Sequence, residues 1–254
     1  MLSRSQIQYL RSLKIKKYRQ EEGKFLIGGL RLIGEGLKSI FPLETIWMTE
    51  SKQTAVAGKK MISDARKLNI PIEITSAKSL EQISDTQHHQ GIIALADLPD
   101  YSNAEFGDRL LALDRISDPG NMGTLLRTAE WFSVKSILLS EDCVDPFNPK
   151  VVRGGMGAHF WMDSITIVKL DETLHQLQSR GYTIIGSDMT GTPMSKLNLD
   201  KNQKWVLVVG SEAHGISETV QNRISHMISI PEKGNVESLN AAVAGGILME
   251  KLTS

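Results

Sequence analysis

An arginine and an asparagine near the middle of the chain have side chains that could take part in chemistry. Arg127 follows Asn121 by six residues and lies in the first turns of a helix predicted from about Thr124, behind a turn predicted at 118–123. A guanidinium keeps its charge under ordinary conditions, so Arg127 can stabilise negative charge developing on an oxygen, or orient a phosphate, more readily than it can act as a base. The alternative is a structural ion pair between Arg127 and Asp118 or Glu130.

The stretch 228–251 reads as a strand, a loop and a helix. The strand breaks at Pro231, and Ser238 is predicted to cap the helix that follows. That helix contains the adjacent pair Gly245 and Gly246, which costs about 1–2 kcal/mol relative to alanine, so we expect another element to pack very close to it. Backbone N–H groups at such a junction can hold a polar ligand, although tight packing alone would also explain the small residues.

Three segments, taken in order, resemble the three motifs of the SPOUT-class RNA ribose methyltransferases, in particular the SpoU (TrmH-like) branch. They are Asp118-Pro-Gly-Asn-Met-Gly-Thr-Leu-Leu-Arg-Thr-Ala-Glu130, Gly210-Ser-Glu-Ala-His-Gly-Ile-Ser217, and Pro231 with Glu237-Ser-Leu-Asn240. The resemblance implies methylation of a ribose 2′-hydroxyl in structured RNA by S-adenosylmethionine, with ribosomal RNA favoured over transfer RNA. It also implies a homodimer formed through the C-terminal domain, a trefoil knot near the C-terminus, and no metal.

The same resemblance assigns roles to five catalytic candidates. Arg127 would favour the developing alkoxide, and Asn121 would hydrogen-bond the ribose or hold its own loop. Glu212 would orient Arg127 or a ligand hydroxyl, with helix capping as the alternative. Ser238 and Asn240 would shape the active-site loop.

By resemblance, main-chain groups at Gly210, Ile230 and Leu239 would hold the cofactor. The second segment departs from the pattern of many relatives, Gly-Ser-Glu-Gly-x-Gly, because Ala213 and His214 follow the glutamate. Alanine does not easily adopt a positive φ, so this loop is expected to differ slightly. His214 is interpreted as an exposed loop residue, with a general base as the alternative.

Positive charge is concentrated in the first 70 residues, which hold fourteen Lys and Arg against six Asp and Glu. Residues 3–20 predict a helix with a break near Lys14–Lys17. The RNA-binding candidates are its basic side chains: Arg11, Lys14, Lys16, Lys17 and Arg19. Such asymmetry indicates a surface that faces a polyanion, although a solvated basic helix is the simpler reading.

The order of predicted elements indicates an α/β protein with two domains. Strands alternate with helices over 1–97, a polar linker follows at 98–106, and 107–254 predicts a parallel sheet because its strands are almost continuously apolar. The first region resembles the ribosomal-protein-like substrate-binding domain that SpoU enzymes carry, which grips RNA. Glycine-rich phosphate loops are absent, which disfavours a nucleotide-binding α/β enzyme.

The remaining sequence features limit the expected cellular location and the alternative functions. The lone Cys143 allows neither an internal disulfide nor a thiolate metal cluster. No secretory signal or membrane-length apolar run is recognised, so the cytoplasm is the expected location. The competing hypothesis is a non-catalytic RNA-binding or ribosome-assembly protein that kept the fold.

Overall fold

The computed structural model describes residues 2–39, 41–84, 90–200, 202–211, 213–236 and 238–254. Contacts divide the chain into unit 1, which comprises Met1–Asp100 and Phe147–Phe160, and unit 2, which comprises Tyr101–Pro146 and Trp161–Ser254. The change of unit after Asp100 falls inside the linker predicted at 98–106. The predicted second domain, 107–254, contains the segment Phe147–Phe160 that groups with unit 1.

Unit 1 is built on a four-stranded mixed sheet. Its strands are β1 (Lys24–Gly28), β2 (Leu43–Met48), β3 (Ile72–Ile74) and β4 (Ile92–Asp97). The order in the sheet is β1-β4-β2-β3, with β4 antiparallel to both neighbours and β2 parallel to β3. The carboxyl ends of β1, β2 and β3 therefore meet at the edge where β4 begins.

Helices cover this sheet. They are α1 (Arg4–Ser12), α2 (Lys16–Glu22), α3 (Leu30–Gly36), α4 (Glu50–Thr54), α5 (Val56–Lys67), α6 (Ala77–Ile83) and α8 (Pro149–Gly155). The predicted break in the N-terminal helix lies between α1 and α2. Extended backbone at Ala55 separates α4 from α5. Gly58 allows this kink, since an added Cβ would lie 1.7 Å from the Lys52 carbonyl oxygen.

Alternating apolar residues of the strands belong to two hydrophobic cores in unit 1. Phe25 and Ile27 of β1 belong to one core, which includes Val152 of α8. Leu95 of β4 belongs to the second core, together with Leu10 of α1. Burying such side chains stabilises the fold by about 1.5–3 kcal/mol each, so α8 is an integral part of this unit.

Unit 2 contains a six-stranded sheet in which every neighbouring pair is parallel. Its strands are β5 (Arg109–Asp114), β6 (Ser136–Leu139), β7 (Ser164–Ile167), β8 (Thr183–Pro193), β9 (Trp205–Gly210) and β10 (His226–Ser229). Their order is β10-β8-β9-β5-β6-β7. The parallel sheet predicted from the apolar strands is confirmed.

The helices of unit 2 are α7 (Pro119–Trp131), α9 (Leu170–Ser179), α10 (Glu218–Gln221) and α11 (Ala241–Thr253). The expected turn at 118–123, with a helix from Thr124, is wrong because α7 already begins at Pro119. The Asp118 carboxylate caps it by accepting from the Asn121 N–H, and proline suits the first helical position. None of the helices in the described part of the chain has the length and apolar character needed to span a bilayer.

The small side chains of α11 allow close packing against α7. A Cβ added to Gly245 would lie 2.6 Å from Cδ2 of the fully buried Leu125. At Gly246 the nearest atom, in Thr128, would be 3.5 Å away, which is an ordinary contact. The expected close approach is confirmed, and Gly245 is the position that requires glycine.

Candidate functional site

A cavity of about 560 Å³ opens at the carboxyl ends of β9 and β10 and beside the middle of β8, at 187–189, in unit 2. Ligand sites of open α/β sheets lie at this end of parallel strands. Its lining includes four of the predicted site residues: Gly210, Ile230, Ser238 and Leu239. Positions far apart in sequence are thus brought to one place, between the ends of the strands and the start of α11.

The cavity joins an apolar base to a polar rim. Val209, Ile228 and Leu248 are buried and line its base. The exposed side chains of Asp188, Glu232 and Lys233 stand on the rim. This combination suits a ligand that has both a flat apolar part and charged or hydroxyl groups.

Asp188 is held in its ionised form by a neighbouring threonine. The Thr190 backbone N–H and hydroxyl donate to Asp188 Oδ1 over 2.8 and 2.6 Å. These hydrogen bonds to the charged form hold the pKa of the carboxyl below its ordinary value. Asp188 therefore contributes a fixed negative charge to the rim at neutral pH.

Gly210 closes a tight loop at the end of β9. A Cβ added there would lie 2.3 Å from the Gly215 carbonyl carbon, and Ser211 pairs with Gly215 in an isolated β-bridge. Among the described residues of this loop, Gly215 is left-handed, with φ of 61°, and Ala213 is not. Alanine in place of the glycine common among relatives therefore introduces no positive-φ strain. His214 is exposed, as expected for a loop residue.

The N-termini of α7 and α11 are joined through two asparagines. Asn240 Oδ1 accepts from the N–H groups of Ala242 and Val243, over 2.9 and 3.2 Å. Its amide nitrogen donates to Asn121 Oδ1 over 2.8 Å. The predicted cap at Ser238 is therefore wrong: Asn240 caps α11, because its side chain can accept both N–H groups while also bonding Asn121.

Arg127 lies on the exposed side of α7 and does not line the 560 Å³ cavity. It is the ninth residue of that helix, farther from the loop than expected from a helix beginning at Thr124. Within the described residues it makes no ion pair, so the alternative pairing with Asp118 or Glu130 is absent. The proposed partner Glu212 lies outside the described residues.

Sequence reasoning missed two residues that brace the loop after β9. Asp114 is 2% exposed, and its Oδ2 accepts from the Ser217 N–H over 2.6 Å. Arg115 has a φ of 59°, and its Nη2 donates to the Gly215 carbonyl over 3.4 Å. The sequence signal for these two residues was a pair of charged side chains at the end of an apolar strand, because charged side chains are rarely buried without a partner.

The basic candidates in unit 1 differ in exposure. Arg11, Lys16 and Lys17 are exposed, and Lys17 pairs weakly with Glu21 at 3.8 Å. Lys14 is half-buried and donates to the Ser84 carbonyl over 2.7 Å.

Arg19 was expected to face solvent or phosphate, and that expectation is wrong. It is 2% exposed, and Nη1 donates to the carbonyls of Leu13 and Lys14, both over 2.8 Å. These carbonyls follow the end of α1, where backbone acceptors need partners. Arg19 therefore joins α2 to α1.

Potential metal ligands do not cluster in the part of the chain that the structure describes. No three His, Cys, Asp or Glu side chains are arranged there to hold a metal ion. Cys143 is buried, and its Sγ donates to the Leu113 carbonyl. Burial raises the pKa of its thiol, which disfavours the reactive thiolate.

Comparisons with known proteins agree with this geometry. Residues 108–250 match the model of the SpoU rRNA Methylase family, and residues 4–94 match the MRM3-like substrate binding domain. The chain is 28% identical to the 23S rRNA (guanosine(2553)-2′-O)-methyltransferase RlmP of Bacillus subtilis, over 95% of this chain and 93% of that protein.

Two solved structures resemble the chain over nearly its whole length. A putative RNA methyltransferase of the TrmH family from Porphyromonas gingivalis is 33% identical, with a TM-score of 0.86 over 99% of this chain and 98% of that one. The SpoU methyltransferase AviRb from Streptomyces viridochromogenes, in complex with its cofactor AdoMet, shares the fold at 20% identity, with a TM-score of 0.87 over 99% and 97%. With the family match covering most of unit 2, this chain belongs to the SpoU rRNA methylase family.

Proposed function

We propose that the chain transfers the methyl group of S-adenosylmethionine to a ribose 2′-hydroxyl of structured RNA, with ribosomal RNA favoured over transfer RNA. The observation that carries the proposal is the convergence of Gly210, Ile230, Ser238 and Leu239 on one cavity. Family membership supports the reaction class. The naming of RlmP as a 23S rRNA 2′-O-methyltransferase supports ribosomal RNA.

The 560 Å³ cavity fits S-adenosylmethionine in size and chemistry. Its volume lies within the range of about 300–1,000 Å³ typical of small-molecule sites. The apolar base suits an adenine ring, and backbone groups beside Gly210, Ile230 and Leu239 would hold its edges. The two carboxylates of Asp188 and Glu232 outnumber the one ammonium of Lys233 on the rim, which favours a cationic ligand. When bound, the cofactor supplies an electrophilic methyl group.

We assign the chain's own residues to orientation and charge. The Asn121–Asn240 pair fixes the loop that Ser238 shapes, so that hydroxyl and methyl donor can be held in line. Arg127 stays ionised and supplies positive charge to the oxygen, while the hydroxyl proton passes to solvent water. Glu212 orients Arg127 or a ligand hydroxyl.

We assign RNA contact outside the cavity to unit 1, which the MRM3-like substrate binding domain matches. Arg11, Lys16 and Lys17 are exposed there and available to phosphates. Arg19 is withdrawn from this set because its guanidinium is buried against α1.

We also propose a homodimer formed through α7 and α11. A groove of about 720 Å³ between these helices is lined by Thr124, Val243 and Ile247. Val243 is 51% and Ile247 37% exposed, while Trp131, the last residue of α7, is 83% exposed. Apolar side chains so exposed favour burial against a second copy.

The C-terminal trefoil knot and a cytoplasmic location complete the proposal. The knot is supported by the order of β8, β9 and β10 in the sheet and by the return of α11 against α7 and β9. The location follows from ribosomal RNA as the substrate.

The test is methyl transfer from labelled S-adenosylmethionine to total RNA from a strain lacking this gene, followed by nucleoside analysis. We expect a labelled 2′-O-methylnucleoside in RNA of ribosomal size. Label on a base would overturn the ribose assignment. Titration calorimetry with the cofactor separates the competing hypothesis, since a non-catalytic RNA-binding protein would show neither cofactor binding nor label.

A further inference from the structure

The helix α2 and the residue before it bury a charged side chain and expose apolar ones, which reverses the pattern of an ordinary surface helix. Of the seven residues of α2, all of them described, only Arg19 is buried. Tyr18, the one aromatic residue of this helix, is 40% exposed, and Ile15, which directly precedes it, is 56% exposed. A surface helix normally turns its apolar residues toward the core, so this reversal calls for a partner on the outside.

We infer that Ile15 and Tyr18 form a stacking platform for an unpaired base of the RNA substrate. The inference rests on the proposed function, because it takes RNA as the substrate. It adds a contact with a base to the phosphate contacts assigned to Arg11, Lys16 and Lys17.

The buried arginine holds the stacking platform in its outward position. Arg19 Nη1 donates to the carbonyls of Leu13 and Lys14, both over 2.8 Å, and so ties α2 to the end of α1. The Arg19 N–H donates to the Ile15 carbonyl over 3.2 Å. Ile15 and Tyr18 are three residues apart at the start of α2, a spacing that makes side chains neighbours. The backbone that carries the platform is therefore fixed before RNA binds, which lowers the cost of ordering it.

The charges around the stacking platform favour a polyanion. Residues 1–20 contain six Lys and Arg and no Asp or Glu. Arg11, Lys16 and Lys17 are exposed, and the two lysines lie between the platform residues in sequence. The pairing of Lys17 with Glu21 is weak, at 3.8 Å between exposed side chains. Exposed cations beside an exposed aromatic ring are the two components with which proteins bind single-stranded nucleic acid.

The small size of the stacking platform fits one base and not a protein surface. A stable protein–protein interface uses about 20–30 residues from each side, whereas the platform consists of two exposed apolar side chains. One tyrosine ring matches the face of one base, and every base has such a face. Bases inside an RNA duplex are stacked on one another, so the bound base must come from a loop, a bulge or a single-stranded segment.

The other tyrosine of the N-terminal helices has a different role. Tyr9 of α1 packs against the hydrophobic core that contains Leu10. Burial, together with the neighbouring Glu22, raises the pKa of the Tyr9 hydroxyl above its ordinary value of 10. Tyr9 therefore serves the packing of unit 1, whereas Tyr18 presents its ring to solvent.

The experiment compares Tyr18→Ala, Tyr18→Phe and Leu68→Ala in the full-length protein. Leu68 ends α5 of the same unit and is 49% exposed, so it controls for the loss of an exposed apolar side chain. The probes are a short RNA without internal pairing and the same RNA annealed to its complement. The dissociation constant of each probe is measured across a salt series. Chemical denaturation and cofactor titration should give wild-type values for all three variants, because neither position is buried or lines the 560 Å³ cavity.

We expect Tyr18→Ala to weaken binding of the unpaired RNA by about 5- to 150-fold, the loss that corresponds to one stacked base. Tyr18→Phe should restore the affinity because it keeps the ring, and duplex binding should be the same in all these proteins. The slope of log affinity against log salt should stay unchanged in Tyr18→Ala, because no charge is lost. Lys16→Gln should instead make that slope shallower by about 0.7, the value for one phosphate of a single strand.

Three results would overturn the inference. The first is equal affinity of Tyr18→Ala and Leu68→Ala for the unpaired RNA. The second is an equal loss of affinity for unpaired and duplex RNA in Tyr18→Ala, which would indicate a contact with the RNA backbone. The third is self-association of the wild type in sedimentation that Tyr18→Ala abolishes while RNA binding is unchanged, which would make this surface an interface between copies of the chain.

The outcomes separate this inference from the proposed function. A wild type that binds unpaired RNA through Tyr18 but transfers no methyl group would refute the proposed reaction alone. A wild type that methylates RNA, with Tyr18→Ala indistinguishable from Leu68→Ala, would refute the stacking platform alone.

Discussion

The side-chain amide of Asn240 donates to the side-chain oxygen of Asn121 over 2.8 Å, although 119 positions separate them. Asn240 also caps α11, and the Asn121 N–H is bonded to the Asp118 carboxylate that caps α7. The first and third sequence segments are thus joined where two helices begin. This bond adds to the close packing of α11 against α7 in fixing the relative placement of the two segments.

Replacing Asn240 with alanine should affect both stability and transfer. Loss of the cap should lower the free energy of unfolding by about 0.5–2 kcal/mol. Transfer should fall by roughly a hundredfold, because about 1 Å of misplacement has an effect of that size. Ser76→Ala is the matched control, because Ser76 also caps a helix, α6, by accepting from the Ser79 N–H. Ser76 is far in sequence from the residues that line the cavity. Similar transfer rates in the two variants would remove Asn240 from the active site.

Arg127→Ala should abolish most transfer without disturbing the fold. Arg127 is exposed and unpaired within the described residues, so the free energy of unfolding should change by less than about 0.5 kcal/mol. We expect kcat to fall about 10²–10³-fold, as when one group that stabilises an oxyanion is removed. Arg180→Ala changes an exposed arginine at the end of α9 and serves as the control. Unaltered turnover in Arg127→Ala would exclude the proposed role.

Replacing the exposed basic residues of the N-terminal helices should affect RNA binding, whereas replacing the buried Arg19 should affect stability. Replacing Arg11, Lys16 and Lys17 with glutamine should weaken RNA binding and make its salt dependence shallower by about 0.7–0.9 for each phosphate that is no longer neutralised. Arg19→Met should instead lower the free energy of unfolding by about 1–3 kcal/mol, because it strands two backbone carbonyls. Salt-series binding and chemical denaturation measure the two effects. An unchanged slope in the triple variant would mean that the basic surface is only solvated.

Because of Glu130, the free energy of unfolding should be higher at acidic pH than at neutral pH over part of the pH range. Burial disfavours its carboxylate and raises the pKa above the ordinary 4.5, and its Oε2 has no hydrogen-bond partner among the described residues. The favourable contribution of Glu130 to the free energy of unfolding is therefore complete below pH 4.5, and it is lost as pH rises through the folded-state pKa. Glu130→Gln should remove this dependence and raise the melting temperature at pH 7. Parallel pH profiles for wild type and variant would contradict this.

Local sequence patterns determined the elements and the family of this protein. Continuous apolar runs such as 110–113 specify strands buried on both faces, and a parallel sheet follows because such strands need cover on both sides. The break after α1 was likewise predicted correctly, since it depends on neighbouring residues alone. The order of the three segments was enough to recognise the SpoU family.

Tertiary structure decided the contacts that no local pattern encodes. Ser238 and Asn240 are both good caps, and the partner Asn121 lies in a distant segment. Arg19 looked like its exposed neighbours, but two carbonyls at the end of another helix hold it inside. Arg153 lies within the methylase match, yet burial of the neighbouring Val152 in the core of unit 1 places Arg153 in the lining of a cavity of that unit. Periodicity reports which face of an element is apolar, whereas the three-dimensional fold determines which element covers that face.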